Sequence, residues 1–373
     1  MTSTATAAAA PVFADVVGQP DAVATLERAA RGDGMTHAWL VTGPPGSGRS
    51  IAARAFAARL QCDHGSGCGE CGACRAVFAG AHPSVIVERP EGLSIPVDRA
   101  RELIRDAALA PVRGTWQVLI IEDADRLTEQ AANALLKAIE EPAPHAVFVL
   151  CAPSPEDLPP TIRSRCRTLT LRLPAANDVA AVLVARDGVD PAMAHWVARA
   201  TQGHVGRAKR LAMSEPARTQ RREVLATATR VGTIAECLAA AADLVALAEA
   251  GDADTGPEGD EDEPTGAGPR RGARAAAAKR ARSKETRARR DVLDGALVDL
   301  AAWYRDVLSL QLGASDLLTH ADHAPTLARC AAADSPEASL RRIEAVLRCR
   351  EALATNAAPL LAVERLTLAL RAG

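Results

Sequence analysis

An α/β domain built on a parallel sheet, followed by an all-helical region, is the fold class that this 373-residue sequence predicts. Three observations carry it. Short apolar runs alternate with helical patterns from Met35 to about Leu173, which is how a parallel sheet covered on both faces reads. From Pro174 onward no strand pattern recurs, only helical patterns rich in Ala and Leu. Apolar residues make up 48% of the chain but aromatic ones only 2%, so the packing falls to Ala and Leu, both strong helix formers.

The length implies two or three domains rather than one core. A formal charge of −2 gives no whole-chain argument for nucleic-acid binding, so any basic surface must be local. Residues 1–10, MTSTATAAAA, lack the charged start and apolar centre of a signal peptide. No stretch approaches the ~18 uncharged apolar residues of a membrane span. The expectation is a soluble cytoplasmic chain, in which the nine cysteines are reduced or metal-bound rather than bridged.

Taken in order, the first element is HAWLVTG (37–43), a short apolar run entering GPPGSGRS (43–50), with IAARAFAARL (51–60) following at helical spacing. Strand, Gly-rich loop, helix is the context of a phosphate-binding loop. Gly43, Gly46 and Gly48 would let backbone N–H groups turn toward a phosphate, and Ser50 would supply a hydroxyl to Mg²⁺. Arg49 stands where such loops carry lysine, and a planar fork is a poor substitute for a compact point charge. WQVLIIEDAD (116–125) reads as a buried strand ending in Glu122 and Asp123. A nucleotide site needs an acidic pair there, an Asp for Mg²⁺ and then a Glu to orient the attacking water. Here the order is reversed, and the shorter Asp123 falls about one methylene short of the water, which compromises hydrolysis. LTEQAANALLKAIEEP follows as a helix with Thr128 as N-cap and Pro142 past its end. HAVFVLCAP (145–153) is the last buried strand, and TIRSRC (161–166) follows it.

Cys62, Cys68, Cys71 and Cys74 form C-x5-C-x2-C-x2-C within a Gly-rich loop, a spacing that suits a closed, structural tetrahedral Zn²⁺ site. His64 competes as a ligand, although four cysteines already fill the shell. Cys151, Cys166, Cys237, Cys330 and Cys349 are scattered, as core cysteines are. Arg163, Arg165 and Arg167 alternate with other residues; they are either solvated charges or contain an arginine finger for a neighbour's γ-phosphate. Seven acids between Asp252 and Glu263 precede ten Lys/Arg against one Glu between Arg270 and Arg290. Such composition predicts a disordered acidic/basic insertion at 251–288, with the basic half as a candidate extension of the next helix.

DVVGQ (15–19), GPPGSGRS, the cysteine cluster, IIEDADRLTEQAANALLKAIEEP (120–142), LPPTIRSRC (158–166) and NAAPLLAVERL (356–366) occur in one order. In that order the chain resembles the bacterial clamp-loader subunits of DNA polymerase III, the AAA+ family of delta-prime and gamma/tau. The resemblance spans all but the 1–10 tail and the insertion, and LTEQAANALLKAIEEP with SRC is its most specific part. It implies an AAA+ domain at 13–173 with a zinc loop at 62–74, a helical lid at 174–215, and a helical collar at 216–373 that holds five subunits in a ring; residues 1–12, ahead of the domain, are expected to be a disordered tail. It also implies that Arg165, the arginine of SRC, reaches a neighbouring subunit's ATP.

Four departures separate the chain from the gamma/tau pattern. Arg49 replaces the loop lysine; Glu122-Asp123 replaces Asp-Glu; Gly206 stands at the lid arginine, with Arg207 one residue displaced; and Cys151-Ala152-Pro153 lacks the residue that senses a γ-phosphate. Together they imply a delta-prime type of subunit: a largely non-catalytic stator that helps load the sliding clamp onto primed DNA. Its implied partners are gamma/tau and delta, with the clamp and primer-template DNA reached through the assembled loader. The alternative is a gamma/tau-type ATPase binding ATP and Mg²⁺ at its own loop. A free zinc-dependent nucleic-acid binder fits less well, because the cysteine loop has few aromatics and little positive charge.

Overall fold

The computed structural model describes residues 9–90, 92, 94–250, 271–315, 318–355 and 357–373. The chain divides into two compact units, one comprising the described residues up to Ala198 together with Gln202–Ala208, the other Arg199–Thr201 with Lys209–Gly373. The division falls inside the stretch 174–215.

In the first unit α1 (Pro20–Ala30), β1 (Ala38–Thr42), α2 (Arg49–Gln61), α3 (Gly72–Phe78), β2 (Val85–Glu88), α4 (Val97–Ala107), β3 (Gln117–Ile121), α5 (Glu129–Glu140), β4 (Ala146–Ala152), α6 (Pro160–Arg163) and β5 (Arg167–Thr170) follow one another. Then come α7 (Ala176–Asp187), in the same unit, and α8 (Pro191–Ala200) and α9 (Val205–Met213), each of which is split by the division. The five strands pair in the order β2-β3-β4-β1-β5, every pair parallel. Every residue of β1, β3 and β4 is buried, because side chains alternate between two covered faces. Trp39, Val41, Val118, Ile120, Val147 and Val149 enter the core on one side; Leu40, Leu119, Ile121, Phe148 and Leu150 enter the other. Thr128 caps α5 by accepting from the Ala131 N–H at 3.2 Å, and the helix stops just before Pro142.

Three expectations change. A strand, β5, follows TIRSRC; it is an edge strand with only Leu169 buried, so it has no continuous apolar run to announce it. The expected tail 1–12 is ordered at its end, where Pro11–Phe13 form a 3₁₀ turn that buries Val12 and Phe13. The Val12 N–H donates to the Gly67 carbonyl at 3.1 Å, which fastens this segment to the cysteine loop. Residues 1–8 lie outside the described residues, as do 251–270 of the expected insertion. From Arg271 the chain is helical, since an Ala-rich run with Arg and Lys has high intrinsic helix propensity whatever its charge.

The second unit contains α10 (Glu215–Thr227), α11 (Ile234–Ala250), α12 (Arg271–Gln311), α13 (Ala324–Ala333), α14 (Pro336–Ala354) and α15 (Pro359–Ala372). Its core joins Leu244, Leu297, Leu300, Trp303, Val346, Val363 and Leu366. The same unit buries a polar pair. Asp306 and His320 are fully buried, and the Asp306 Oδ2 accepts from the His320 backbone N–H at 2.7 Å and faces His320 Nδ1 at 2.8 Å. No helix among the described residues is long and apolar enough to cross a membrane.

Burial pushes the Asp306 carboxyl up, but the His320 ring and the backbone N–H groups of His320 and Thr319 outweigh it, and its pKa lies below the ordinary carboxylate value. A depressed folded pKa stabilises the fold above about pH 3.9, the unfolded value, and the contribution fades as pH falls through the lower folded one. Asp306→Ala should therefore lower stability by about 3 kcal/mol at pH 7, since it leaves a buried partner unpaired. Urea unfolding should show the gap between wild type and Asp306→Ala narrowing below pH 4; a gap that is unchanged there would refute the assignment.

Candidate functional site

The loop between β1 and α2 is shaped by its glycines. Gly43 has φ of 150°, and a Cβ there would stand 2.5 Å from the Leu171 carbonyl oxygen. Gly48 caps α2 in the left-handed region, where side chains are disfavoured. The start of α2 thus turns its free N–H groups and positive dipole end toward the loop. The Ser47 hydroxyl is buried without a hydrogen-bond partner. Asp15, Gly46, Ser47, Gly48, Ser50 and His204 are among the residues lining a cavity of about 230 Å³ here. This half fits a phosphate group.

The acidic half does not fit Mg²⁺. Glu122 is buried, and its two oxygens bind two guanidinium groups, Arg54 at 2.8 Å and Arg89 at 3.0 Å. A carboxylate between two cations presents net positive charge to an incoming divalent ion, and in low dielectric that repulsion is strong. Asp123 has φ of 52° and lies 3.9 Å from both Arg49 and Arg126. Arg49 also donates to the Gly43 carbonyl, so its fork is held by the loop and by Asp123. Burial, with Glu122 nearby, pushes the Cys151 thiol up to about 12, leaving an inert group beside the loop.

The ring of His204 rests on the loop: a Cβ on Gly46, which has φ of 91°, would lie 2.6 Å from His204 Cγ. Its Nδ1 accepts from the Arg207 N–H at 3.3 Å, closing the first turn of α9. Burial first, then the charge of Arg207, lowers the His204 pKa to about 4, so the ring is neutral at neutral pH. Gly206 and Arg207 drew attention in the sequence; His204 did not, because histidine is not among the residues that usually mark an N-cap.

The four cysteines come together. The sulfurs of Cys62, Cys68, Cys71 and Cys74 all lie within 4.8 Å of one another, and Cys62 and Cys68 are 3.8 Å apart. With metal–sulfur bonds of about 2.3 Å, a tetrahedral Zn²⁺ site has edges of about 3.8 Å. The Cys71 N–H points at Cys68 Sγ and the Cys74 N–H at Cys71 Sγ, each at 3.4 Å. Burial would raise the Cys62 thiol, but backbone N–H groups of Cys68, His64, Gly67 and Ser66 together bring it down to about 5; burial raises Cys74. The donor set fits a metal such as zinc. His64 is not part of this group of ligand atoms.

The three alternating arginines diverge. Arg163 faces Glu156 at 3.6 Å. Arg165 pairs with Glu140 at 2.5 Å and donates to the Thr161 carbonyl at 2.9 Å. Arg167 stacks on Trp39, 5.0 Å from the ring centre, and donates to the Gly34 carbonyl. Arg165 thus sits with α5 and α6, whereas the loop glycines, Arg49, Ser50, Glu122 and Asp123 gather at the ends of β1 and β3.

The family described as "DNA polymerase III, delta subunit" matches residues 18–175, and "DNA polymerase III, delta subunit, C terminal" matches residues 292–368. DNA polymerase III subunit delta' of Pseudomonas aeruginosa is 39% identical over 145 residues, which cover 38% of this chain and 44% of that protein. Subunit tau of Bacillus subtilis is 38% identical over 158 residues, 42% of this chain and 28% of that one. Subunit gamma/tau of Mycobacterium tuberculosis is 37% identical over 175 residues, 46% and 30%. The matches thus span less than half the length of these relatives. With residues 18–175 and 292–368 both matched to DNA polymerase III subunits, the chain belongs to the delta-prime and gamma/tau family of DNA polymerase III clamp-loader subunits.

Proposed function

We propose that the chain is a delta-prime-like clamp-loader subunit: a stator that completes a neighbour's ATP site with Arg165 and does not hydrolyse ATP itself. The observation that carries this reading is the clamping of Glu122 between Arg54 and Arg89, which neutralises the acidic end where a hydrolysing subunit holds its metal. In this reading 13–173 is the AAA+ domain, 174–215 a lid and 216–373 a collar. The partners are gamma/tau and delta, and the sliding clamp and primer-template DNA are met through the assembled ring. Arg165 is suited to action in trans because it is partly exposed and tied to a surface carboxylate, to the Ser164 hydroxyl and to the Thr161 carbonyl of the helix before it. Exposed pairs of that kind contribute about 0–1 kcal/mol, so a stronger anion can displace Glu140. The cysteine cluster holds structural Zn²⁺ in the same reading.

Arg165→Ala should leave folding within about 0.5 kcal/mol of wild type yet slow the reconstituted ring's clamp- and DNA-stimulated ATP hydrolysis by about tenfold or more, part of what such fingers supply at one site. Arg165→Lys should not restore it, because a flexible point charge does not reproduce the fork. Arg49→Ala should leave turnover near wild type. A ring crippled by Arg49→Ala and indifferent to Arg165→Ala would instead identify a gamma/tau-type ATPase.

Elemental analysis of protein purified without chelator should give about one zinc per chain, and Cys68→Ser should lose it. Since four thiolates must form for binding, the metal should be released on acidification. Zinc-free wild-type protein would overturn the assignment.

A further inference from the structure

The nucleotide-binding loop of this chain keeps the glycines that admit a phosphate, yet a side chain of the same unit lies on it. Gly46 is the glycine in the middle of GPPGSGRS, and its bare backbone is covered by the imidazole of His204. The histidine is fixed in that place from two directions. Its Nδ1 takes the Arg207 N–H at the start of α9. Before it, Gly203 has φ of 87°, and a Cβ there would stand 2.3 Å from the Pro174 carbonyl oxygen, so only glycine lets the chain bring the ring in so closely.

We propose that His204 is the residue that determines whether this loop binds nucleotide: a plug in cis that keeps a nucleoside triphosphate off the Gly46–Ser50 backbone. The proposal rests on the reading that the chain uses no ATP of its own, and it names the group that enforces this at the binding step. Three observations support it. The space left beside the ring is about 230 Å³, below the ~300 Å³ at which pockets for ligands of this size begin. The ring caps a helix through a nitrogen lone pair and is neutral, so it brings no charge to a triphosphate, unlike an arginine. And Ser47 has a buried hydroxyl without a partner, a polar group that a bound phosphate would satisfy. The loop is therefore built to bind and is held closed by a contact that one substitution can remove.

Three variants separate the plug from its structural role as a cap. His204→Asn retains a good capping side chain while removing the ring, so α9 should persist and the loop should open. His204→Phe keeps the bulk without the cap, and the loop should stay closed. Gly203→Ala should dislodge the ring from the loop. Titration of the isolated full-length chain with ATP, by calorimetry with and without Mg²⁺, should show weak binding for wild type and His204→Phe. His204→Asn should bind at least tenfold more tightly, with Gly203→Ala shifted the same way, and circular dichroism should be unchanged throughout. Tight binding by wild type, or equal affinities for wild type and a folded His204→Asn, would overturn the plug. Hydrolysis is scored separately: if His204→Asn binds ATP and also turns it over, the plug stands, and the plug rather than the clamped Glu122 is what keeps the wild type from hydrolysis. If it fails to bind while Arg165→Ala slows the reconstituted ring, the plug falls and the non-hydrolysing reading stands.

Discussion

A parallel sheet covered on both faces leaves chemistry only at the ends of its strands, and everything notable about this unit follows from that constraint. The interiors of β1, β3 and β4 are sealed by helices and contain no exposed residue. Their carboxyl ends open onto loops, and there the sequence changes from Val, Ile and Leu to Gly, Ser, Glu and Asp. Glycine at 43 is required where the chain leaves β1, because the Leu171 backbone occupies the room a side chain would need. The same end of the sheet gathers Arg49, Glu122 and Asp123 from segments distant in sequence. A site of this kind is a by-product of topology, available for use or for disuse.

Electrostatics decides between those two. The acidic end of β3 is not merely reordered relative to a hydrolytic site; it is already satisfied by guanidinium groups from α2 and from the segment after β2. In a half-buried setting the pairing is stronger than at the surface, and it makes Glu122 a brace between α2 and the sheet. Arg49 is bound up in the same way by the loop backbone and Asp123. Arg49, Glu122 and Asp123 are thus tied to one another's neighbours within the unit, while Arg165 lies at the surface.

What was legible in the sequence follows the range of the interactions. β1, β3 and β4 announced themselves as unbroken apolar runs, and Thr128 as a cap, because burial on two faces and N-capping are local patterns. The loop glycines and the four cysteines were equally readable, since both sites depend on spacing within a few residues. β5 was not, because an edge strand reading RTLT buries one side chain in four. Nor were the partners of Glu122, which lie 68 and 33 residues away, or the seat of His204 on Gly46, which depends on how the chain returns after β5. The helix from Arg271 was obscured for a different reason: high charge argued for disorder while alanine argued for helix, and composition alone does not rank the two.

The strand order also bears on how the chain is made. β1 is the first strand to be synthesised, yet it lies between β4 and β5, and its Ala38 pairs opposite Phe148, about 110 residues later. At ribosomal rates this is an interval of about 5–20 s, during which AWLVT, apolar on both faces, has no neighbouring strand. Helices α1 and α2 emerge early and can shelter one side, through Phe56 against Trp39; the hydrogen-bonding edges stay unmatched until β4 arrives. A ribosome stalled before residue 146 would therefore carry an open strand edge, the state in which a holdase chaperone has most to recognise and a second nascent copy most to pair with.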